Sequence, residues 1–499
     1  MARKTGEEMG LYERLLINVA PRFYMRRLQA MSAANVFKRR YEGAAKGRRT
    51  EGWVAHGSSA NTEIGKDFQT LMFRSRDLLR NNAWARQAQR VIRNNVVRYG
   101  IVAELKGQNQ KALKKRQKLW RSWAESTQID ADGQRNIYAL QALAMNTIFE
   151  SGSVLIRRRR RRASDNLAVP LQIQVLEPDW IDTGKTQTLD NGHKIVQGKE
   201  FNGIGQLVAY WLFDQHPGDY HHFRHYNVQS RRVDASEILH VFDSDRPEQI
   251  HGVPWLAASM LRLRDFDELQ DAKLMQQKIA SCFAVLVKGT DANSVSLPKK
   301  SNGDPTLPVD SIEPGMVEYV GHNDITTVTP PDADNGTDYT RTLLREIAMS
   351  FGITAEQLTG DYSQVNFSSA RMGRLEFVAN VEHWQWNMLI PGFCEQVYGW
   401  FDEAARLIGE YEPVTAEWTP PAVPALDMEK EGKAIREYIR DGLMTQSEGV
   451  RRLGYDPVKF FEEYQGDLKR LDKMGIVLDT DPRKTARGGT LQPQTQQDE

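Results

Sequence analysis

The stretch from Trp255 to Phe283 constrains the fold most, because its 29 residues contain neither Gly nor Pro and Pro254 stands where a helix would begin. At 1.5 Å per residue such a helix reaches about 40 Å. The pattern then breaks completely. Lys288-Gly289, Asn302-Gly303, Pro305, Pro308, Pro314-Gly315, Pro330-Pro331 and Asn335-Gly336 punctuate residues 284–336, leaving room only for short strands such as Val317 to Val320. Helix resumes with Thr337 or Asp338 as N-cap, carries Leu343, Ile347 and Phe351 at i, i+4 and i+8, and stops at Gly352. Thr354 and Gln357 predict a capping box for one more turn. A long helix, a small β module and a returning helix describe a stalk with a knob at its end.

On either side of the stalk the periodicities predict a mixed α+β protein. Ile64, Phe68, Leu71, Leu78, Val91 and Val97 predict two amphipathic helices broken near Asn81 and Asn82. Further helices are expected at 110–126 and 137–150. Strand-like runs then follow at Val154 to Arg159, Leu171 to Leu176, Leu207 to Phe213 and Ile238 to Phe242. Beyond the stalk, the polar loop from Thr359 to Ser369 leads into a helix from about Ala370 to Ile408, N-capped by Ser368 or Ser369 and kinked by Pro391-Gly392. Three last helices are expected. Met428 to Asp441 ends at Gly442, Gln446 to Leu453 opens on a Thr445/Glu448 capping box, and the third starts on Asp456-Pro457 and runs to Gly475.

Charge bounds the chemistry. With 66 Lys and Arg against 65 Asp and Glu, the chain cannot coat nucleic acid by net charge, so any DNA contact has to be local. Residues 1–50 form a basic arm with twelve Lys/Arg and four Asp/Glu. The helix at 110–126 sets Lys111, Lys114, Lys115, Arg116, Lys118 and Arg121 beside Trp120 and Trp123, which reads either as a DNA face or as a solvated face with Trp in the core. Arg157 to Arg162 repel one another, so they have to lie in solvent or against phosphate or carboxylates. Cys282 and Cys394 lack nearby Cys or His partners and read as reduced, buried thiols. No apolar run reaches the roughly 18 residues of a membrane span.

Two groups invite a metal. His216, His221, His222 and His225 crowd a Pro-Gly loop with Asp214 and Asp219, but their spacing matches no closed zinc motif. Asp265, Glu268 and Asp271 recur every three residues on the long helix, as metal-binding carboxylates of a nuclease would. No second acidic motif accompanies them, and Arg262, Arg264 and Lys273 are placed to neutralise them within the helix. The favoured reading has no catalytic residue, no metal and no cofactor; a metal-dependent DNA-processing enzyme is the rival.

Several strings in order resemble the lambda family of phage portal proteins: Arg76-Asp77-Leu78 with Arg80-Asn81-Asn82, Gly252-Val253-Pro254-Trp255-Leu256-Ala257, Leu358-Thr359-Gly360-Asp361, Ser363 to Arg371, and Gly454-Tyr455-Asp456-Pro457. The similarity spans about residue 58 to Pro482. It implies a portal fold with a basic arm at 1–57, an α+β wing at 58–254, stem helices at 255–283 and 337–358, and a β-rich clip at 284–336. It further implies a tunnel loop at 359–369, a kinked tunnel helix returning to the wing at 370–425, a helical crown at 426–480 and a disordered tail at 481–499. Such proteins form rings, usually of twelve subunits, at the capsid vertex, through which double-stranded phage DNA is packaged and ejected. The partners implied are the large terminase, which would supply ATP hydrolysis because this chain has no Walker-type phosphate loop, then a head-tail adaptor, and the major capsid protein. Assembly in the host cytoplasm and residence in the virion follow, with no membrane. Asp361, Tyr362, Ser363, Gln364, Val365, Asn366, Phe367, Ser368 and Ser369 would face the DNA, and Asp265, Glu268 and Asp271 would line the channel. A head or neck structural protein without a channel would lack the stem-clip-stem order.

Overall fold

The computed structural model describes residues 48, 51–52, 57–219, 229–281, 285–287, 317–319, 336–424, 427–478 and 481. The chain forms two units, Met1–Ser59 and Ala60–Glu499. In the first, Arg48, Glu51 and Gly52 are exposed turn residues; the rest of the expected basic arm to residue 56 lies outside the described residues. So do the tail from residue 482, Cys282, His221, His222 and His225.

The second unit opens with α1 (Ala60–Asn81) and α2 (Ala83–Val96), split where Asn82 turns from helix to cap. Asn82 Oδ1 accepts the Ala85 N–H at 2.8 Å, which satisfies one of the orphan donors of a helix start. After β1 (Val102–Lys106) come α3 (Gln110–Ala124) and α4 (Ile137–Ser151), both opened by Asn caps. Gly152 ends α4 at φ +82°, and the backbone of Gly252-Val253 runs directly beside it. A Cβ on Gly152 would sit 2.5 Å from Val253 C, and one on Gly252 only 1.9 Å from Gly152 O. This contact anchors the Gly252-Val253-Pro254 string to the end of α4.

The strands β2 (Ser153–Arg160), β3 (Leu171–Leu176), β4 (Gln187–Thr188), β5 (Lys194–Val196), β6 (Lys199–Phe201), β7 (Leu207–Leu212), β8 (Arg231–Asp234) and β9 (Ile238–Phe242) build two antiparallel sheets, β3-β2-β9 and β4-β5-β6-β7-β8. Leu155, Leu176 and Ile238 from one sheet join Tyr210 and Leu212 from the other, with Ile181, in a small core.

The long helix α5 (Met260–Ser281) begins five residues after the expected Trp255. Pro254 opens tight turns instead: Ala257 N–H donates to Pro254 O and Ser259 N–H to Leu256 O, each at 2.9 Å, before Leu263 N–H reaches Ser259 O at 2.8 Å. Phe283 lies outside the described residues. Within 284–336, β10 (Val285–Val287) and β11 (Val317–Tyr319) pair in parallel, and residues 288–316 and 320–335 are not described. The returning helix α6 (Gly336–Ser350) is antiparallel to α5, as the contacts of Arg262 with Glu346 (3.3 Å) and Lys273 with Thr340 (2.8 Å) require.

After α7 (Ala355–Thr359), α8 (Phe367–His383) continues without a break through a π-helical stretch, Trp384–Cys394, into α9 (Glu395–Leu407). The kink expected from Pro391-Gly392 is thus expressed as a wider helix. Pro391 has no N–H to give and crowds the preceding turn, and Glu395 N–H reaches back five residues to Ile390 O. Next, β12 (Thr415–Thr419) returns to pair with β1, Val102 opposite Thr419. The following segment is held by two guanidinium groups, Arg98 donating to Ala422 O and Arg374 to Pro424 O. The last helices are α10 (Met428–Arg440), α11 (Gln446–Arg452) and α12 (Pro457–Met474), capped by Asp427, Thr445 and Asp456. Only half of the expected Thr445/Glu448 box forms, because the Glu448 carboxylate turns to Arg451 and Arg452.

One large core joins α1 to α4 with α5, α6 and the α8 to α9 helix. Among the described residues no helix is long and apolar enough to cross a membrane.

Candidate functional site

The loop between α7 and α8 is short and tied to itself. Thr354 and Gln357 form the predicted box, Gln357 N–H donating to Thr354 Oγ1 (3.3 Å) and Thr354 N–H to Gln357 Oε1 (3.0 Å), and Gly360 ends α7 at φ +73°. Asp361 N–H then donates to Thr359 Oγ1 (3.1 Å), Ser363 N–H to Asp361 Oδ1 (3.0 Å) and Val365 N–H to Tyr362 O (3.2 Å). Hydrogen bonds from the Ser363 side chain and backbone, with the charge of Arg341 behind them, hold the Asp361 carboxyl below its ordinary value.

The expected helix start at Ala370, capped by Ser368 or Ser369, is corrected. Asn366 is the cap, its Oδ1 accepting the Ser369 N–H at 2.8 Å, while the Ser369 hydroxyl accepts the Asn366 N–H at 3.2 Å. The planar amide of Asn accepts from N3 while its own N–H is taken up by Ser369, so the helix gains a turn and Phe367, Ser368 and Ser369 belong to it. Tyr362 is 60% exposed; Asp361, Ser363, Gln364, Asn366, Ser368 and Ser369 are exposed and Val365 is half-buried. The Phe367 side chain lies outside the described set.

Asp265, Glu268 and Asp271 are all exposed on α5. Of the three cations expected to neutralise them within the helix, only Arg264 does, to Glu268 at 3.1 Å; Arg262 and Lys273 reach across to α6. Tertiary partners outcompete helix neighbours here. Among the described residues these carboxylates do not cluster with His216. Among the described residues the group that comes together in a metal-like cluster is Glu177, Asp179 and His216. It already holds a cation, because Arg76 donates to Asp179 at 2.9 and 2.5 Å and lies 3.4 Å from Glu177 and 3.5 Å from Glu150. Burial works against the Arg76 charge, yet these acids outweigh it and keep the guanidinium above its ordinary value. His216 Nδ1 accepts the Gly218 N–H at 3.0 Å, which leaves Nε2 to donate to Glu177 at 2.8 Å. Asp214 pairs with Arg231. The string Gly184-Lys185-Thr186 has Asp179 where a phosphate loop would need its first Gly, and a strand rather than a helix follows it.

The basic surfaces divide by strand and helix period. In β2, Arg158 is buried, pairing with Glu403 at 2.6 Å with its guanidinium 5.7 Å from the Trp400 ring, while Arg160 reaches Glu237 at 2.5 Å. Arg159 and Arg161 bond Gln174 and Gln172 on β3. Four of the six arginines, Arg158 to Arg161, are therefore held by neighbours within the chain. On α3, Trp120 meets Phe401 edge-on in the core at 4.9 Å, Trp123 stacks on the same ring at 5.3 Å, and Arg116 is buried against Asp402. Trp120 and Trp123 are therefore core residues, as one of the two readings of that helix expected.

The chain is thus an α+β body carrying a helical hairpin, followed by a tied polar loop that opens a long helix. The chain belongs to the lambda family of phage portal proteins, whose family pattern it matches over residues 46–385. It is 25% identical to the probable portal protein of Halomonas phage phiHAP-1, with 88% of each chain covered, and 22% identical to the portal protein of Escherichia phage N15, covering 84% of this chain and 88% of that one. Portal protein B of Escherichia phage lambda is 21% identical over 68% of this chain and 71% of its own. Among solved structures, a chain in the neck of a native gene transfer agent particle aligns with TM-score 0.42 and 15% identity over 79% of this chain and 94% of that one.

Proposed function

We propose that copies of this portal subunit close into a ring at one capsid vertex and that phage DNA enters and leaves through its hole. The carrying observation is the family match across residues 46–385, which includes the whole succession of long helix, strand pair, returning helix and tied loop. In this reading residues 58–254 are the wing, the α5–α6 hairpin the stem, 284–336 the clip, 370–425 the kinked tunnel helix and its return to the wing, and 426–480 the crown. The loop from Asp361 to Asn366, with the first turn of α8, faces the DNA. Its exposed groups are nearly all uncharged, which suits a surface along which phosphates slide rather than one that traps them.

The clip docks the terminase motor during packaging and the head-tail adaptor afterwards, and the wing meets the capsid protein. The ring is a head-to-tail interface that closes on itself. Electron microscopy of the purified full-length chain tests this: rings with a central hole are expected, and a compact monomer at high concentration would overturn it.

A further inference from the structure

The α5–α6 hairpin carries opposite charge on its two outer faces. On α5, Asp265 and Glu268 are exposed beside Leu261, which is 72% exposed. On α6, Arg341 and Arg345 stand at i and i+4 with Met349, 75% exposed, at i+8. Glu268 meets Arg264 of its own helix. Among the described residues Asp265, Arg341 and Arg345 form no ion pair, although Arg341 lies within the field of Asp361.

The contacts of Arg262 with Glu346 and Lys273 with Thr340 fix the antiparallel register. Because both helices rise 1.5 Å per residue, these two contacts together set Leu261 level with Met349, Asp265 with Arg345 and Glu268 with Arg341, each to within about one helical turn. Rotation about a ring axis leaves height along the axis unchanged. For a stem running along that axis, residues level within one chain are therefore level between neighbours.

We propose that the acidic face of α5 packs against the basic face of α6 in the next copy, Asp265 to Arg345 and Glu268 to Arg341, closed at one end by Leu261 against Met349. The proposal rests on the ring reading above. It gives Asp265 and Glu268 a role at the subunit boundary in place of the channel wall, since a carboxylate paired between subunits presents little charge to passing DNA. Single exposed pairs are weak, but one repeats at every boundary of the ring, and like charges set opposite each other are strongly unfavourable.

The test uses full-length protein with Asp265→Arg, Arg345→Asp and the double swap, comparing ring formation across concentration by sedimentation and electron microscopy at fixed salt. Each single reversal is expected to raise the concentration needed for half-assembly by about tenfold or more, and the swap to restore it. Singles that assemble like the unaltered protein, or a swap no better than the singles, would overturn the pairing. An Asp265→Cys, Arg345→Cys variant supplies a second reading. Oxidation should link neighbours into a ladder on a denaturing gel that neither single cysteine variant gives. Rings without a ladder overturn the pairing alone; unaltered protein that forms no rings overturns the portal reading with it.

Discussion

Arg76 shows how much one residue of a short sequence string can hold. Its guanidinium gathers Asp179, Glu177 and Glu150, with Ser151 Oγ accepting a further bond at 3.1 Å. Burial pushes the Glu150 carboxyl up, and Arg76 opposes it. Arg76→Ala leaves these acids facing one another without a cation, so a loss on the order of 3 kcal/mol is expected, read as a lowered thermal midpoint that partly recovers as the carboxyls protonate at lower pH. None of this was legible from the string itself, because its partners lie 74 to 103 residues away. Caps were legible. The Thr354/Gln357 box and the Asp456-Pro457 helix start depend on residues within one turn, so the letters alone specify the geometry.

Element types followed their periods closely, since β3 and β9 run over the residues that alternation predicts and α3 and α4 shift by no more than two. The misses have local causes. Turns, not helix, follow Pro254; Asn366 outranks the serines behind it; and Pro391 is absorbed as π-helix. The candidate loop was readable as polar punctuation between helices, but its internal hydrogen bonds needed the fold. Tyr362 is the large exposed side chain at its centre. Tyr362→Ala is expected to leave ring formation intact and to lower the amount of nuclease-protected genome retained per particle. Unchanged packaging and retention would remove the loop from contact with DNA.

At the scale of the molecule, the sheets close over a buried basic group that no periodicity signals. Lys199 and His251 are buried and His240 is half-buried, with the His240 and His251 rings 5.9 Å apart and Lys199 Nζ 5.7 Å from the Phe242 ring. Burial pushes Lys199 well below its ordinary value and, with the charge of Lys199 added, does the same to both histidines. The fold therefore binds fewer protons than the unfolded chain once the pH drops below the ordinary imidazole value of 6.5. Stability rises with pH in that range and is lost on acidification, by about 1.4 kcal/mol per pH unit for each histidine. A thermal midpoint that falls between pH 7 and pH 5.5, and falls less in His240→Phe, is the expected result; an unchanged slope in that variant would exclude this source.

The two arginines on residues 422 and 424 carry a mechanical consequence. Arg374 belongs to the helix that begins at Asn366, and Arg98 follows the helix that Asn82 caps. The segment that leads to the last three helices is thus fastened twice, once beside each of two helices that start far apart in the chain.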